Sequence, residues 1–303
     1  MAFPIAAGHG NLPNGNAFPV IYSKKVLKKF RKASIAEDIT NSDYQGEILN
    51  VGDSVRIIKE PSLTVKPYAR GAQLVSDNLI DEDLVMVVDQ ANYFQFDIDD
   101  IEKKQTHIDW IDLATNEAAY RLKDAFDTHV LSYMQTQVSA AMIYGTSGSP
   151  IDVGFGAGEV SPLAVMNRLS RLLDENNVPT ENRWLVADPV FWEQVGDENS
   201  KLLNWDNAGT SGQDILRNGR VTNGPIRGFQ CYKSNNLPLI ASATTTRLVM
   251  AGHMSSTATA SQIAQTEMFR SPTSFADVCR GLHVFGRKTL RPEAIAYSAI
   301  SVD

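Results

Sequence analysis

Histidines, cysteines, a glycine-flanked serine and a close set of aspartates are the residues that could act chemically in this chain. A zinc site would show His or Cys ligands at short helical or loop spacing. His9, His107, His129, His253 and His283 are scattered, and none has a second His three or four residues away. Cys231 and Cys279 stand 48 positions apart in apolar surroundings and read as reduced core thiols. Ser147 lies in Gly145-Thr-Ser-Gly-Ser, which lacks the spacing of a nucleophile elbow. Gly154-Phe-Gly156-Ala-Gly158 is glycine-dense but has neither dinucleotide-binding nor P-loop spacing. Asp97, Asp99 and Asp100 could gather a cation, yet they lack the glycine turn and closing glutamate of a calcium loop. No catalytic constellation, cofactor site or metal site is expected, and the chain does not read as an enzyme.

Charge is more informative than these groups. The 303 residues carry a formal net charge of -7, which argues against a protein that grips nucleic acid over its whole surface. That total conceals two opposed segments. Lys24, Lys25, Lys28, Lys29, Arg31 and Lys32 face only Glu37 and Asp38 within the first 40 residues. From Leu74 to Glu102 the chain holds nine acids and no Lys or Arg, among them Asp97, Asp99, Asp100 and Glu102. Each segment reads either as solvated surface charge or as one half of a complementary pair, basic arm against acidic stretch. No apolar run approaches the roughly 20 residues that span a bilayer, so no membrane partner is expected.

The elements that carry these charges follow from periodicity. Residues 1–50 are broken by Gly8, Gly10, Pro13, Gly15 and Pro19 and read as an arm. Val55–Ile58, Leu63–Val65, Leu84–Val88 and Tyr93–Ile98 are β-rich runs punctuated by Gly52, Pro61, Pro67 and Gly71. Such a β excursion has little core of its own and must lie on something else. That is a partner or the remainder of the fold; if a partner, residues 55–90 are expected to be needed for assembly but not for folding. A helix is predicted from about Thr106 to Ala141, with Ile108, Ile111, Ala118, Leu122, Ala125, Phe126 and Tyr133 on one stripe. Residues 150–276 read as α/β. Ser161-Pro162 and Asp188-Pro189 open helices there, and Trp184–Ala187, Phe229–Tyr232 and Arg247–Ala251 form strands. Leu282–Phe285 and Ala294–Ser298 are closing β runs.

Arm, long β excursion, long helix, α/β region and closing strands, in that order, resemble a tailed-bacteriophage major capsid protein of the Hong Kong 97 type. The likeness rests on Asn50-Val-Gly-Asp-Ser-Val-Arg-Ile with Leu63-Thr-Val-Lys-Pro-Tyr, and on Asp89-Gln-Ala-Asn-Tyr-Phe-Gln-Phe-Asp-Ile-Asp-Asp-Ile-Glu. Trp184-Leu-Val-Ala-Asp-Pro-Val-Phe and Gly228-Phe-Gln-Cys-Tyr-Lys-Ser-Asn-Asn-Leu-Pro extend it. Together they span about residues 20–303.

The resemblance implies an α+β fold of four parts. These are an N-terminal arm (1–50), an extended β-loop (51–99), a peripheral domain with the spine helix (100–149 and 277–303) and an axial domain (150–276). It implies self-assembly into pentamers and hexamers of an icosahedral shell around double-stranded DNA, with scaffolding, portal and cement proteins as further partners. An encapsulin-type nanocompartment shell is the alternative within the same fold. Inter-subunit contacts would fall on Lys24, Lys25, Lys28, Arg31, Lys59, Lys66, Arg70, Asp97, Asp99, Asp100 and Glu102. Gly209, Gly212, Gly219 and Gly224 would give the axial loop the flexibility to fit two local symmetries. Lys59 and Lys66 lie in the loop, but neither is expected to enter the family's Lys–Asn cross-link.

Overall fold

Successive side chains of a strand point to opposite faces, so a strand that is apolar throughout must be covered on both. Arg183–Ala187 is such a strand from Trp184 onward, with every residue buried. The computed structural model describes residues 34–44, 54–59, 82–105, 110–196, 226–238 and 246–302, plus isolated positions between 63 and 76.

In chain order the elements are α1 (Ala36–Ile39), β1 (Ser54–Lys59), β2 (Glu82–Val87), β3 (Gln90–Asp99), α2 (Asp100–Gln105) and α3 (Trp110–Gln137). Next come β4 (Ile143–Tyr144), β5 (Ile151–Asp152), α4 (Pro162–Glu175), β6 (Arg183–Ala187), α5 (Pro189–Val195) and β7 (Phe229–Lys233). The chain closes with β8 (Thr246–His253), β9 (Thr257–Arg270), β10 (Ala276–Thr289) and β11 (Ile295–Ser301). The class is mixed α+β.

A mixed sheet runs β4-β11-β8-β6-β7, with β5 also paired to β11. Trp184, Val186, Leu248, Met250 and Ile295 point to one face, and Leu185, Ala187, Val249, Ala251 and Ala296 to the other. The second face is covered by Val165, Met166, Leu169, Leu172 and Leu173 of α4 and by Phe191 and Val195 of α5. Both helices start as their sequences dictate. Ser161 Oγ accepts from Ala164 N–H at 3.4 Å, Asp188 Oδ1 from Val190 N–H at 3.0 Å, and each cap precedes a proline. The first face is covered by α3 and α1.

The α3 helix is shorter than its periodicity predicts. It ends at Gln137, well before the glycine cluster, and a 3₁₀ turn follows at Ala140–Met142. Its buried stripe is also displaced. Phe126, Val130, Leu131 and Met134 are buried, whereas Ala125 is exposed and Ile111, Ala118, Leu122 and Tyr133 are half-buried. The cause is geometric: only the C-terminal half of α3 crosses the large sheet.

The second sheet is antiparallel, β3-β10-β9. Strand pairing crosses the boundary drawn at residue 276, because β9 pairs with β10 through Asp277↔Arg270 to Thr289↔Thr257, and β11 lies inside the large sheet. The third sheet is the antiparallel ribbon β1–β2, running from Ser54↔Val87 to Lys59↔Glu82. Leu63 and Val65 do not continue β1.

The root of the β excursion belongs to the subunit's own core. Val55, Met86 and Val88 are buried with Ala258, Ala260 and Val284 of β9 and β10. Removing all of residues 55–90 would uncover that cluster, so the expectation that this span is dispensable for folding is corrected at its root. Residues 34–41 are likewise integrated: Ile35, Ala36 and Ile39 are buried, and Asn41 bridges to Ala258.

Candidate assembly surfaces

The ribbon β1–β2 has one face packed on its own subunit and one that, among the described residues, is exposed. Val55 and Met86 point inward. On the opposite face Ser54, Arg56 and Ile58 pair across to Val87, Val85 and Asp83. There Ile58 is 73% exposed, and Val85 and Val87 are open as well. An Arg56–Asp83 ion pair at 3.5 Å edges that face. Beyond the ribbon, Leu63, Val65 and Tyr68 are exposed, Val65 at 95%. A two-stranded ribbon is marginal alone, and contiguous exposed apolar groups mark interaction surfaces. Lys66 and Arg70 are exposed in this segment. Lys59 closes β1 opposite Glu82.

The open face of the second sheet offers a shallow concavity lined by Tyr93, Gln95, Glu267, Arg280 and Leu282. Tyr93 and Leu282 are cross-strand neighbours, and Arg280 holds Glu267 at 2.6 Å while lying 4.9 Å from the Phe269 ring centre. Behind it, Phe94 lies over Gly281, where any β-carbon would collide with the ring.

At the end of this sheet the turn 271–275 meets the start of α2. Asp100 N–H donates to Phe275 O at 3.0 Å. Phe275 is 79% exposed and Ile101 64%. Arg270 forms a bidentate pair with Asp100 and reaches Asp277 at 3.3 Å. The Arg270 guanidinium holds the Asp100 carboxyl below its ordinary value. One of the four acids expected to face a neighbour's cations is thus matched by a cation of its own chain, 170 residues away. Asp99 is engaged locally, its Oδ1 accepting from Ile101 N–H at 2.7 Å. Asp97 stands exposed on β3, and Glu102 lies within α2. Lys24, Lys25, Lys28, Arg31, Gly209, Gly212, Gly219 and Gly224 lie outside the described residues. Sequence reasoning missed Phe275 and Arg270. The Ser271-Pro272-Thr-Ser turn before Phe275 was a readable hairpin signal; nothing local marks Arg270.

The chemical groups read first can do little where they are placed. Among the described residues no three His, Cys, Asp or Glu side chains gather to hold a metal, and no helix is long and apolar enough to cross a membrane. Burial pushes the Cys231 thiol up to about 11, so the nucleophilic thiolate is scarce at neutral pH. Ser261 Oγ lies 2.7 Å from His283 Nε2, a serine–histidine contact. Among the described residues the other ring nitrogen of His283 has no hydrogen-bond partner, so none of them orients this ring as the acid of a triad would.

No family model and no curated protein sequence matches this chain. Solved structures do. A chain from Mycobacterium phage Che8 superposes with a TM-score of 0.76 at 25% identity, over 93% of this chain and 97% of that one. A chain of the capsid of cyanophage P-SCSP1u gives 0.72 at 18% identity, over 99% and 97%. The mature capsid of bacteriophage PhiM1 gives 0.67 at 14%, over 94% and 92%. The chain shares, over nearly its whole length, the fold of subunits in solved phage capsids.

Proposed function

We infer that this chain is the major capsid subunit of a tailed bacteriophage, assembling into the icosahedral head that encloses the double-stranded DNA genome. The observation that carries the reading is the near-complete mutual coverage with the Che8 phage chain at a TM-score of 0.76. The exposed apolar face of β1–β2 is what a shell subunit needs and a monomer does not.

In finer terms, residues 1–50 act as an arm seated on the core through residues 34–41, and 51–99 as an extended loop whose root stays with its own subunit while its outer part lies on the next. Residues 100–149 with 277–303 act as the peripheral domain and 150–276 as the axial domain, the two being joined by strand pairing of β9 with β10 and of β11 with β8. The basic arm pairs with acids of a neighbour, Asp97 foremost among them because it is exposed on β3. Hexamers and pentamers are the units, and scaffolding, portal and cement proteins the other partners. DNA is enclosed without sequence-specific contact, since an acidic shell repels phosphate.

The test is protein mass spectrometry of density-purified particles from a phage whose genome encodes this chain. The chain should be the most abundant protein of DNA-filled heads. Its absence, or presence in a few copies, would refute the reading. Small DNA-free shells filled with an enzyme would favour a nanocompartment instead.

A further inference from the structure

Asp127 is a carboxylate with no exposed surface, set among Phe126, Val130, Leu131 and Met134 of α3. A buried charge is costly unless hydrogen-bonded. Three donors from one segment meet it. Oδ1 accepts from Ser34 Oγ at 2.9 Å and from Ala36 N–H at 3.0 Å, and Oδ2 accepts from Ile35 N–H at 2.9 Å. The short helix α1 has no cap of its own, because Ile35 precedes it. A side chain about 90 positions later therefore supplies the cap. Flanking contacts reinforce the seat. Lys123 reaches Glu37 at 3.4 Å, and Asn236 donates to Asp124 at 2.8 Å.

An apolar residue at 127 would fill the same space. It would leave two amide N–H groups buried without partners, and it would not define a direction. The carboxylate does define one, since its two oxygens fix the backbone at residues 34–36. We propose that Asp127 is a positioning residue: it holds the backbone of Ser34–Ala36 in one place on α3 and so fixes where the chain enters the subunit's core. Its consequence for assembly rests on the capsid reading; the clamp itself does not.

The test is amide hydrogen exchange on the unassembled full chain, comparing wild type with Asp127→Asn and Ser34→Ala. Asparagine keeps the shape but turns one acceptor into a donor. Exchange at Ile35 and Ala36 should rise about tenfold or more in Asp127→Asn and less in Ser34→Ala, with β6 amides unchanged. Equal loosening of α1 and β6 would make Asp127 an ordinary core residue and overturn the proposal. Unchanged exchange at Ile35 would overturn it too. If Asp127→Asn does not fold, Ser34→Ala alone decides: a selective rise at Ile35 and Ala36 supports the clamp, and no rise refutes it. Absence of the chain from phage particles would sink the capsid reading and leave this exchange result standing.

Discussion

Arg287 and Asp89 lie 198 positions apart in the chain and 2.7 Å apart in the fold. Asp89 sits between β2 and β3, where the ribbon joins the second sheet; Arg287 lies on β10 with its guanidinium 4.9 Å from the centre of the Tyr133 ring of α3. One side chain thus ties the root of the β excursion to the sheet and to the long helix. The two partners are unequal, since the Arg287 side chain is 14% exposed and that of Asp89 53%. Arg287→Ala should cost about 1–3 kcal/mol in urea unfolding, and Asp89→Ala less, because the arginine also loses packing. A loss for Asp89→Ala equal to or larger than that for Arg287→Ala would contradict a packing contribution from the arginine.

Deleting residues 60–81 while keeping Val55, Met86 and Val88 should leave a folded subunit that no longer assembles. The inner cluster with Ala258, Ala260 and Val284 remains closed. Deleting 55–90 should instead lower the melting temperature, because it opens that cluster. Calorimetry and sedimentation on the two deletions separate these outcomes; equal melting temperatures would contradict the assignment of the ribbon's root.

Gly252 is fixed by its neighbours. A β-carbon there would stand 2.7 Å from Trp184 Cζ2 and 3.0 Å from the Ala294 carbonyl oxygen. Gly252→Ala should destabilise by about 1–3 kcal/mol. Gly148→Ala, which meets nothing within 4 Å, should stay within about 0.5 kcal/mol. Similar denaturation midpoints for both variants would be inconsistent with this packing.

Two carboxylates should titrate in opposite senses. Burial raises the Asp127 carboxyl above its ordinary value, against hydrogen bonds from Ala36, Ile35, Ser34 and Asn236 that lower it. The folded chain then holds that proton more tightly than the unfolded chain. Its stabilising share is complete below the ordinary carboxylate value and is lost as pH rises through the raised one. Asp100, lowered by Arg270, behaves conversely: its share is present above the ordinary value and lost as pH falls through the lowered one. The stability difference between wild type and Asp127→Asn should therefore shrink with rising pH across the acid range. That between wild type and Asp100→Asn should grow. Parallel pH profiles for the two differences would contradict both assignments.

The thiols should be inert in the folded chain. Cys279 is buried, and Cys231 is held up to about 11 by burial. At pH 8 on the order of one Cys231 in a thousand is thiolate, so disulfide reagents should label the native chain far more slowly than the unfolded one. Prompt native labelling of both thiols would contradict this burial.

What the sequence revealed was local. The caps at Ser161 and Asp188, the doubly apolar run Trp184–Ala187 and the existence of a long helix all rest on neighbours within a few positions. Strand β9 escaped notice because its first half is Thr257-Ala-Thr-Ala-Ser, small and weakly apolar. Ala258 and Ala260 are small where the ribbon's root packs against them. Strand β10 showed only its middle, because Arg280, Gly281, Gly286 and Arg287 interrupt the apolar pattern. Asp127 has partners about 90 positions away, which no local pattern announces. The pairs Arg270–Asp100 and Arg287–Asp89 are equally distant in sequence and leave no periodic trace. Among the expected contact residues, Asp100 was legible as charge but not as a charge already matched.

The central claim is that the β1–β2 ribbon serves a neighbour. A cryo-electron-microscopy reconstruction of assembled particles tests it most directly. The account predicts Ile58, Val65, Val85 and Val87 covered by an adjacent subunit in every hexamer and pentamer. A map in which these side chains face solvent, or are covered only by their own chain, would contradict it.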